Sequence, residues 1–510
     1  MPAGPLHGDP VARPAIPGVA RERQGVVRAP IIRHDVRPMA LTVYNTLAGA
    51  KQAFQPLHPP KVAMYNCGPT VYSQAHIGNF RAFLFADVLR RWLEVSGYAV
   101  TQVMNITDVG HLRADDEADA GQDRMAIAAR REQLDPWKIA EKYSELFFRD
   151  LKTLGVQPAH HYPRATEYIP QMIATIERLI AAGHAYEVNG NVYFEVSTFP
   201  AYGRLSGNTS DELLAGARIE VNPEKRDPRD FALWKQDPGH IMQWDSPWGR
   251  GFPGWHVECT SMSQSLLGDS LDIHTGGEDN IFPHHDCEIA QSEGATGKPF
   301  VKYWMHSRFL QVDGGKMSKS LGNLYTVDQL EGMGHAPLAL RYLLIRGHYR
   351  QVLNFTFEGL EQSAAAVRRL RLFDEQLAEA AGDAVANDEA PAWVRDASAQ
   401  FDAGMDDDLN VSAALDGTFT LLNEGHRAAP TGAEAAAARA ALQRMDRVLG
   451  VLESQPQSVD AEVEALIEQR AAARAAKDWA AADRIRDELA AQGIELLDGK
   501  DGVKWRRAGV

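Results

Sequence analysis

The chain has 510 residues, of which 45% are hydrophobic and 24% are charged, a composition typical of a globular protein with several domains. No run of about 18 apolar residues occurs, so no membrane partner is expected. The formal net charge of −15 argues against broad, nonspecific nucleic-acid binding, although local basic strips remain compatible with one specific RNA. Three cysteines make a disulfide framework improbable, and we expect a cytoplasmic protein.

The N-terminal segment, residues 1–38, is rich in arginine, proline and alanine and has few bulky apolar side chains. It lacks the apolar core of a signal peptide, so we expect a disordered N-terminal extension. The segment could result from an upstream start codon or form a nonspecific basic tail. A transit peptide is a third interpretation, although the segment lacks serine and contains acidic residues. The folded part of the chain is therefore predicted to begin near Met39.

Residues 39–136 alternate between apolar, strand-like runs and helical patterns. This alternation is typical of an α/β domain, and it predicts the first half of a doubly wound, Rossmann-type parallel sheet. One predicted strand, Val62–Asn66, leads directly into Cys67. Because ligands of such sheets bind at the carboxyl ends of the strands, the segment that follows Asn66 is expected to contribute to the site.

A short phosphate-binding pattern, His76-Ile77-Gly78-Asn79, stands at the start of an apolar helix. The N-terminus of a helix favours anions, while glycine permits close approach and the imidazole and amide add polar contacts. Taken alone, the pattern also fits an ordinary helix start with a surface histidine. It indicates a nucleotide site only when a second phosphate-binding element accompanies it.

Residues 137–236 are predicted to interrupt the sheet as an insertion. Two amphipathic helical stretches are followed by the segment 185–194, in which Asn189-Gly190 separates two strand-like runs. An Asn-Gly pair in this context is a strong signal of a β-hairpin. Residues 237–326 are then expected to supply the second half of the sheet.

A possible metal site draws its ligands from separated segments of the chain. His284 and Glu288 are four residues apart on a predicted helix, so both project from one face. Two thiolates, an imidazole and a carboxylate suit zinc better than magnesium or calcium. The candidate ligands are Cys67, Cys259, His284 and Glu288, with His285 and Cys287 as alternatives. Each cysteine could equally be a small buried hydrophobic residue.

The second phosphate-binding element is Lys316-Met317-Ser318-Lys319-Ser320, which follows two glycines. On such a loop Lys316 and Lys319 can close over a triphosphate as mobile positive charges. A lysine-rich loop alone is usually just solvated. The ordered pair of elements, each preceded by a strand-like run, favours activation of a substrate by ATP.

The C-terminal third of the chain has a helical period in its apolar residues, which predicts a bundle over residues 327–455. The predicted helices span residues 338–346, 357–380, 392–404, 411–429 and 432–449. Residues 456–510 are predicted to form a small α+β module, with a helical pair over 462–492 and a closing hairpin. In that hairpin Trp505, Arg506 and Arg507 suit stacking on splayed bases, unless Trp505 only completes the core of the module.

The two phosphate-binding elements resemble the paired signatures of class I aminoacyl-tRNA synthetases, although Asn79 stands where the first signature commonly ends in histidine. Within that class the chain resembles the cysteinyl-tRNA synthetase family, from about Leu41 to the C-terminus. The segments that carry this resemblance are residues 64–72, 105–109, 253–259, 272–277 and 282–288.

The resemblance implies that Cys67, Cys259, His284 and Glu288 hold one zinc ion per chain, which binds the thiolate of the substrate cysteine. It implies ATP, accompanied by magnesium, as the second substrate. It also implies which residues bind ATP: His76, Gly78, Asn79, Gly276, Gly277, Asp279, Lys316 and Lys319. Four of these, His76, Asn79, Lys316 and Lys319, are implied to be catalytic. Those implied to contact cysteine are Thr70, Thr107 and Trp255.

The resemblance therefore implies activation of L-cysteine to cysteinyl-adenylate and its transfer to the 3′ end of tRNA(Cys). The bundle would dock the tRNA and the terminal module would read its anticodon, in a monomeric enzyme. One alternative is a cysteine ligase that transfers cysteine to an amino sugar, which would need no anticodon-binding module. A second is a zinc-stabilised RNA-binding protein with vestigial nucleotide motifs, which the intact Lys316, Ser318 and Lys319 disfavour.

Overall fold

The computed structural model describes most of the chain from Leu41 onward. The described residues are 41–109, 124–208, 222–317, 322–387, 389–452, 466–467, 469–471, 473–474, 478–491, 494–499 and 502–507. The predictions for residues 1–38 and for Ser318, Lys319 and Ser320 lie outside these ranges. Among the described helices, none is long and apolar enough to cross a membrane.

A four-stranded parallel sheet confirms the predicted doubly wound architecture. Two short antiparallel strands, β1 (Thr42–Asn45) and β2 (Ala50–Ala53), precede it. Its strands are β3 (Lys61–Asn66), β4 (Ala99–Met104), β9 (Leu271–Gly277) and β10 (Val301–Ser307), in the order β10–β9–β3–β4. Because β3 has β4 on one side and β9 on the other, the winding reverses there and opens a crevice at the carboxyl ends of the strands.

Helix α1 (Ile77–Val95) connects β3 to β4. Its residues Phe80, Leu84 and Val88 recur at intervals of four, which places them on one face of the helix. All three are buried in the same apolar core as Met64 of β3. This packing fixes the N-terminus of α1, and with it the first phosphate-binding pattern, against the sheet.

The segment predicted as the insertion, residues 137–236, has the predicted helices and hairpin. Its elements are α3 (Pro136–Thr153), α4 (Ile169–Ala181), β5 (Ala185–Val188), β6 (Asn191–Phe194) and β7 (Phe231–Lys235). Helix α2 (Arg124–Glu132) precedes this segment and strand β8 (Phe252–Pro253) follows it. The four strands pair antiparallel in chain order. Asn189 and Gly190 both have positive φ, 51° and 84°, as a type I′ hairpin turn requires. The Asn-Gly prediction is therefore confirmed.

The second half of the sheet is followed by a small three-stranded sheet. Helices α5 (Trp255–Leu267) and α6 (Asp286–Thr296) flank β9, and a π-helical turn over Ile281–His285 opens α6. The small sheet has the order β12 (Gly315–Lys316), β11 (Leu310–Val312), β13 (Leu353–Phe355). Strand β13 lies in the segment that the sequence assigned to helices alone. Three residues are too short to show a period, and pairing with β11 determines their conformation.

The predicted bundle is confirmed, and its five predicted helices have ends within two residues of the predictions. They are α8 (Pro337–Ile345), α9 (Phe357–Ala381), α10 (Ala392–Asp406), α11 (Val411–Ala428) and α12 (Ala433–Leu449). A short helix that was not predicted, α7 (Val327–Gly332), precedes them. Gly404 and Gly417 allow α10 and α11 to pack backbone against backbone. A Cβ at Gly404 would lie 2.5 Å from Ala414 N, and one at Gly417 would lie 2.6 Å from Phe401 N.

The C-terminal module contains helix α13 (Trp479–Ala491) and an antiparallel hairpin of β14 (Ile494–Gly499) and β15 (Gly502–Arg507). The predicted closing hairpin is therefore confirmed. Leu489 is buried and packs against Leu466, Ile467 and Ile485. Of the first predicted helix of the pair, only part lies within the described residues, and there it is helical.

A buried cluster of charges connects α1 to the bundle. Arg341 of α8 donates hydrogen bonds to Asp87 of α1 and to the carbonyl oxygens of Leu154, Gly155 and Leu449. Leu154 and Leu449 close helices α3 and α12, so the guanidinium lies at the carbonyl-rich ends of both helices, where a positive charge is favoured. The Arg341 side chain thereby connects helix α1, the end of helix α3 and the bundle.

Candidate active site and metal centre

The site lies where the central strands end. Cys67 follows β3, and its N–H donates to the carbonyl oxygen of Thr275 in β9 at 3.1 Å. Gly276 and Gly277 close β9 at the same edge. The sheet thus gathers the cysteine from the first half of the domain and the glycines from the second half at the crevice that its topology creates.

Four potential metal-binding side chains converge beside Cys67. The donor atoms of Cys67, His284, His285 and Glu288 all lie within 4.8 Å of one another. His284 Nε2 lies 3.0 Å from Glu288 Oε1, as expected for residues one helical turn apart. Cys67 Sγ lies 3.2 Å from His285 Nε2 and 3.9 Å from Glu288 Oε1. The histidines and the glutamate are buried, so the charges must be balanced within the site.

Cys259, on helix α5, is buried and adjoins these side chains, but its sulfur is not among the four donors that converge within the described residues. The neighbouring Cys67 lowers the pKa of Cys259 to about 7 against the opposing effect of burial, whereas burial raises the pKa of Cys67 well above its usual value. One of two adjacent sulfurs therefore ionises readily, and this favours the thiolate form that binds a soft cation.

The ionisation of His284 and Glu288 is coupled. Burial alone would lower the pKa of His284, but hydrogen bonds with Cys259 and Glu288 raise it to about 10. Burial alone would raise the pKa of Glu288, but the charges and hydrogen bonds of His274 and His284 lower it to about 2. The glutamate is therefore a carboxylate and can act as an anionic ligand.

Two further histidines orient these side chains from behind. His256 Nδ1 lies 2.8 Å from His284 Nδ1, and His274 Nε2 lies 3.0 Å from Glu288 Oε2. The Nε2 atom of His284 and the Oε1 atom of Glu288 consequently face Cys67 and Cys259. Outer partners of this kind fix the orientation of a metal ligand.

A chain of hydrogen bonds runs from His285 away from the sulfurs. His285 Nδ1 lies 2.8 Å from His306 Nε2, and His306 Nδ1 lies 2.8 Å from the hydroxyl of Thr46. Burial lowers the pKa of both histidines, that of His306 to about 3, so both rings are neutral. The sequence analysis assigned no role to His306, His256 or His274. Their signal was weak, because a single histidine within a buried strand or helix is typical of an ordinary core position.

Cys287, the other alternative ligand, lies among different neighbours. Its sulfur is 3.4 Å from the hydroxyl of Tyr202. Like Cys259, it is absent from the group of four side chains whose donor atoms converge among the described residues. Cys287 directly precedes Glu288 in the chain, and the side chains of consecutive residues on a helix point to different faces.

The residues implied to contact cysteine make the following contacts. Thr70 and Thr107 form an isolated parallel bridge, so the two segments are held side by side. The Thr107 hydroxyl donates to Glu258 Oε2 at 3.0 Å and is buried. The ring of Trp255 packs on that of His284, with centroids 4.4 Å apart. Trp255 is half-buried.

The first phosphate-binding pattern forms the start of α1, as predicted. His76 is the residue that precedes the helix, and its N–H donates to Asn79 Oδ1 at 3.0 Å. Asn79 thus caps the helix in addition to any contact with a ligand, a role that the sequence analysis did not assign. Asn79 is exposed and His76 is half-buried.

The two phosphate-binding elements meet at Gly78. A Cβ there would lie 3.0 Å from His76 Nδ1 and 3.2 Å from Met317 Cε. Lys316, the residue before Met317, is exposed and lies in β12, where it pairs with Gln311 of β11. Although about 240 residues separate the two elements in the chain, packing at Gly78 brings them together.

The glycine turn after β9 lies next to the histidines. A Cβ at Gly276 would lie 2.8 Å from His285 Cε1, and one at Gly277 would collide with Asp279 Oδ1. Glycine is therefore the residue that fits both positions. Asp279 is exposed, whereas Glu278 accepts hydrogen bonds from Phe309 N at 2.7 Å and pairs with Arg308 Nε at 2.6 Å.

Comparison with known proteins agrees with this arrangement. The family model described as "tRNA synthetases class I (C) catalytic domain" matches residues 53–365. A second, described as "Cysteinyl-tRNA ligase anticodon binding domain", matches residues 457–506. A solved structure of Mycobacterium tuberculosis methionyl-tRNA synthetase in complex with methionyl-adenylate superimposes with a TM-score of 0.54 at 16% identity, covering 77% of this chain and 90% of that one. The fold and the paired signatures define a class I aminoacyl-tRNA synthetase.

The similarity to curated proteins is more specific. The cysteine–tRNA ligase of Chlorobium luteolum is 44% identical over 92% of this chain and 99% of its own length. That of Symbiobacterium thermophilum is 46% identical over 92% of this chain and all of its own length. The chain belongs to the cysteine–tRNA ligase family and has cysteine–tRNA ligase activity. The match to an anticodon-binding domain disfavours the alternative in which an amino sugar receives the cysteine.

Proposed function

We propose that this enzyme recognises its amino acid through a zinc ion held by Cys67, Cys259, His284 and Glu288. The observation that supports this is the donor set itself. The donor atoms of Cys67, His284 and Glu288 lie within 4.8 Å of one another, together with that of His285, and Cys259 is buried beside them. His256 and His274 contact His284 and Glu288 from the other side. Thiolate and imidazole ligands favour zinc, whereas magnesium and calcium prefer sites made of oxygen atoms.

Recognition through sulfur would solve a difficult selection problem. Cysteine and serine differ by one atom, and a pocket that distinguishes near-isosteres by shape typically gains only about 10- to 200-fold. A bound zinc ion would take up the substrate thiolate in preference to a hydroxyl. The side chains around it would then have to orient the amino acid and exclude water. Trp255 would wall the pocket beside His284, and Thr70 and Thr107 would contact the amino acid or its adenylate.

Adenylation would be carried out by the two phosphate-binding elements. The cysteine carboxylate attacks the α-phosphorus of ATP, which is accompanied by magnesium, and pyrophosphate leaves. Lys316 and Lys319 would stabilise the charge that develops on the phosphates, and His76 and Asn79 would hold them from the opposite side. Gly78, Gly276, Gly277 and Asp279 would shape the nucleotide pocket, since the glycines permit close approach of the backbone.

The parts of the chain would divide the work on tRNA(Cys). The catalytic halves, residues 39–136 and 237–326, would form and transfer the adenylate, and the connective insertion, 137–236, would approach the acceptor end. The bundle, 327–455, would dock the tRNA, and the module 456–510 would read the anticodon. We further propose that the enzyme is monomeric and cytoplasmic, with residues 1–38 as an accessory extension.

Metal content and amino-acid activation, measured on one preparation, test the zinc proposal. We expect about one zinc ion per chain, and cysteine-dependent exchange of pyrophosphate into ATP that serine neither supports nor inhibits at equal concentration. A fully active preparation without zinc would contradict the proposal, as would equal activation of serine.

The pair His284 and His285 offers a matched test of the ligand set. His284→Gln should lose zinc, because its Nε2 faces both Glu288 and Cys259. His285→Gln should retain zinc, because we propose that His285 supports Cys67 from the outer shell and does not bind the ion. If His285→Gln lost zinc and His284→Gln retained it, the ligand would be His285 and not His284.

A further inference from the structure

A strained turn connects helices α10 and α11. Two consecutive residues that are not glycine, Asp408 and Leu409, have positive φ values of 59° and 53°. Asp408 is fully buried and Leu409 is 1% exposed. A leucine rarely adopts this conformation, and such strain persists only where surrounding contacts impose it and frequently marks a functional site.

The contacts that impose it converge on the buried carboxylate of Asp408. It accepts hydrogen bonds from Tyr44 N at 2.7 Å, from the Tyr349 hydroxyl at 2.6 Å and from Arg350 Nε at 2.7 Å. The N–H of Asp408 donates to Thr42 O at 2.9 Å. The turn therefore fastens the bundle to β1 and to the segment 348–351, which joins α8 to β13.

The segment 348–351 contacts the helix that carries the first signature. Arg81 of α1 is 3% exposed and donates through Nη2 to the carbonyl oxygens of His348, at 3.3 Å, and Gln351. The ring of Tyr349 stacks on that of Phe85, also in α1, with centroids 4.2 Å apart and an interplanar angle of 15°. Arg81 and Phe85 lie one helical turn apart and follow His76 and Asn79 along the same helix.

The same segment is continuous with the sheet that carries the second signature. It runs into β13, which pairs with β11, and β11 pairs with the strand that contains Lys316. The carbonyl oxygen of Tyr349 also accepts a hydrogen bond from Arg308 N at 2.8 Å, and Arg308 pairs with Glu278 of the glycine turn. Three parts of the proposed ATP site are thus supported by the segment 348–351, in which Asp408 holds Tyr349 and Arg350.

We propose that Asp408 is a positioning residue for the adenylation of cysteine. By fixing Tyr349 and Arg350, it sets the position of α1 relative to β12 and hence the spacing between His76 and Lys316 across the phosphates. This inference rests on the proposed role of those two residues in phosphate binding. It adds that a carboxylate in the helical bundle, which does not touch the substrates, governs the geometry of the transition state for adenylyl transfer.

The test compares two neighbouring aspartates by pyrophosphate exchange in the full-length enzyme. Asp408→Asn keeps the size of the side chain and tolerates the same backbone conformation, but it places an amide donor opposite Arg350. The control is Asp407→Asn, which removes only a surface pair with Lys51 in which the aspartate side chain is 58% exposed. Tyr349→Phe, a second variant, removes one hydroxyl and keeps the ring on Phe85.

We expect Asp408→Asn to lower kcat/KM for ATP at least about tenfold, since displacements of about 1 Å at a reacting centre can cost 100-fold. Tyr349→Phe should show a smaller loss of the same kind, and Asp407→Asn should match the wild type. The KM for cysteine and the zinc content should not change, whereas a general loss of structure would alter them as well.

Two results would overturn the inference. One is a lower melting temperature for Asp408→Asn and Tyr349→Phe with kcat/KM for ATP at the wild-type value. The other is an equal loss in Asp407→Asn. Lys316→Ala in the same assay distinguishes an error in the proposed phosphate site from an error in the positioning role of Asp408. If Lys316→Ala retains full exchange, the proposed phosphate site is wrong; if it loses exchange and Asp408→Asn does not, only the positioning role fails.

Discussion

Arg341 Nη2 lies 2.6 Å from Asp87 Oδ2, and neither side chain has any exposed surface. The two residues are far apart in the chain, and they belong to the bundle and to the helix that begins at the first signature. Asp87 also pairs with Arg91 Nε at 2.9 Å, and its other oxygen accepts a hydrogen bond from Gln157 N at 2.8 Å. The carboxylate is therefore fully partnered, and removal of Arg341 would leave part of a buried charge without its neutralising group.

Arg341→Met should destabilise the protein by about 3 kcal/mol, because breaking a buried ion pair from one side leaves an uncompensated charge. The change in free energy would be read from the midpoint of the first unfolding transition in urea. Arg395→Met is the matched control, since its pair with Glu389 has side chains that are 50% and 88% exposed. That variant should differ from the wild type by less than about 1 kcal/mol. Equal effects of the two substitutions would show that burial of the pair is unimportant.

Cys259→Ser should lose zinc and cysteine-dependent pyrophosphate exchange together. The hydroxyl that replaces the sulfur is a poor ligand for a soft cation and does not ionise near neutral pH. Elemental analysis and the exchange assay would be run on the same preparation. Cys287→Ser serves as the control, because its sulfur contacts Tyr202 and should keep both properties. Loss of zinc from Cys287→Ser, with retention by Cys259→Ser, would reverse the assignment.

Gly78→Ala should reduce pyrophosphate exchange by about tenfold or more while leaving the melting temperature nearly unchanged. The added Cβ would lie closer to His76 Nδ1 and Met317 Cε than side chains normally pack, so the two signatures would have to separate. Gly332→Ala is the control, since a Cβ there would meet no atom within 4 Å. Wild-type exchange by Gly78→Ala would mean that the contact with Met317 does not matter for catalysis.

Removal of residues 453–510 should abolish charging of tRNA(Cys) and spare pyrophosphate exchange. Within the described residues, the apolar contacts of Leu489 are to Leu466, Ile467 and Ile485 of the same module. Removal of the module should therefore not expose the catalytic core. Aminoacylation of tRNA transcript and exchange would be measured side by side. Charging at the full rate by the truncated enzyme would refute the proposed anticodon role. Loss of exchange as well would show that the module also supports the catalytic domain.

The local parts of the fold could be predicted because their signals are short-range. Asn189-Gly190 specifies its own turn, and the apolar spacing from Phe80 to Val88 specifies one face of a helix. Strand β13 could not be predicted, since three residues carry no period and adopt an extended form only by pairing with β11. To predict β13, one would need to know the position of β11 in the folded protein.

In the candidate site, too, some residues could be predicted from the sequence and others could not. The candidate ligands were proposed from their chemistry and from the family resemblance, and the structure brings Cys67, His284 and Glu288 together with His285. His256 and His274 were not predicted, since their function comes from contact with His284 and Glu288, and that contact depends on the packing of separate elements. The strained turn at Asp408 was likewise invisible, because aspartate followed by leucine carries no sign of positive φ.

The position of β3 between β4 and β9 has a consequence for synthesis on the ribosome. Strand β4 emerges soon after β3, but β9 begins only at Leu271, about 200 residues later, a delay of about 10–40 s at ordinary elongation rates. Until then β3 can pair only with β4, and its other edge is left without a partner strand.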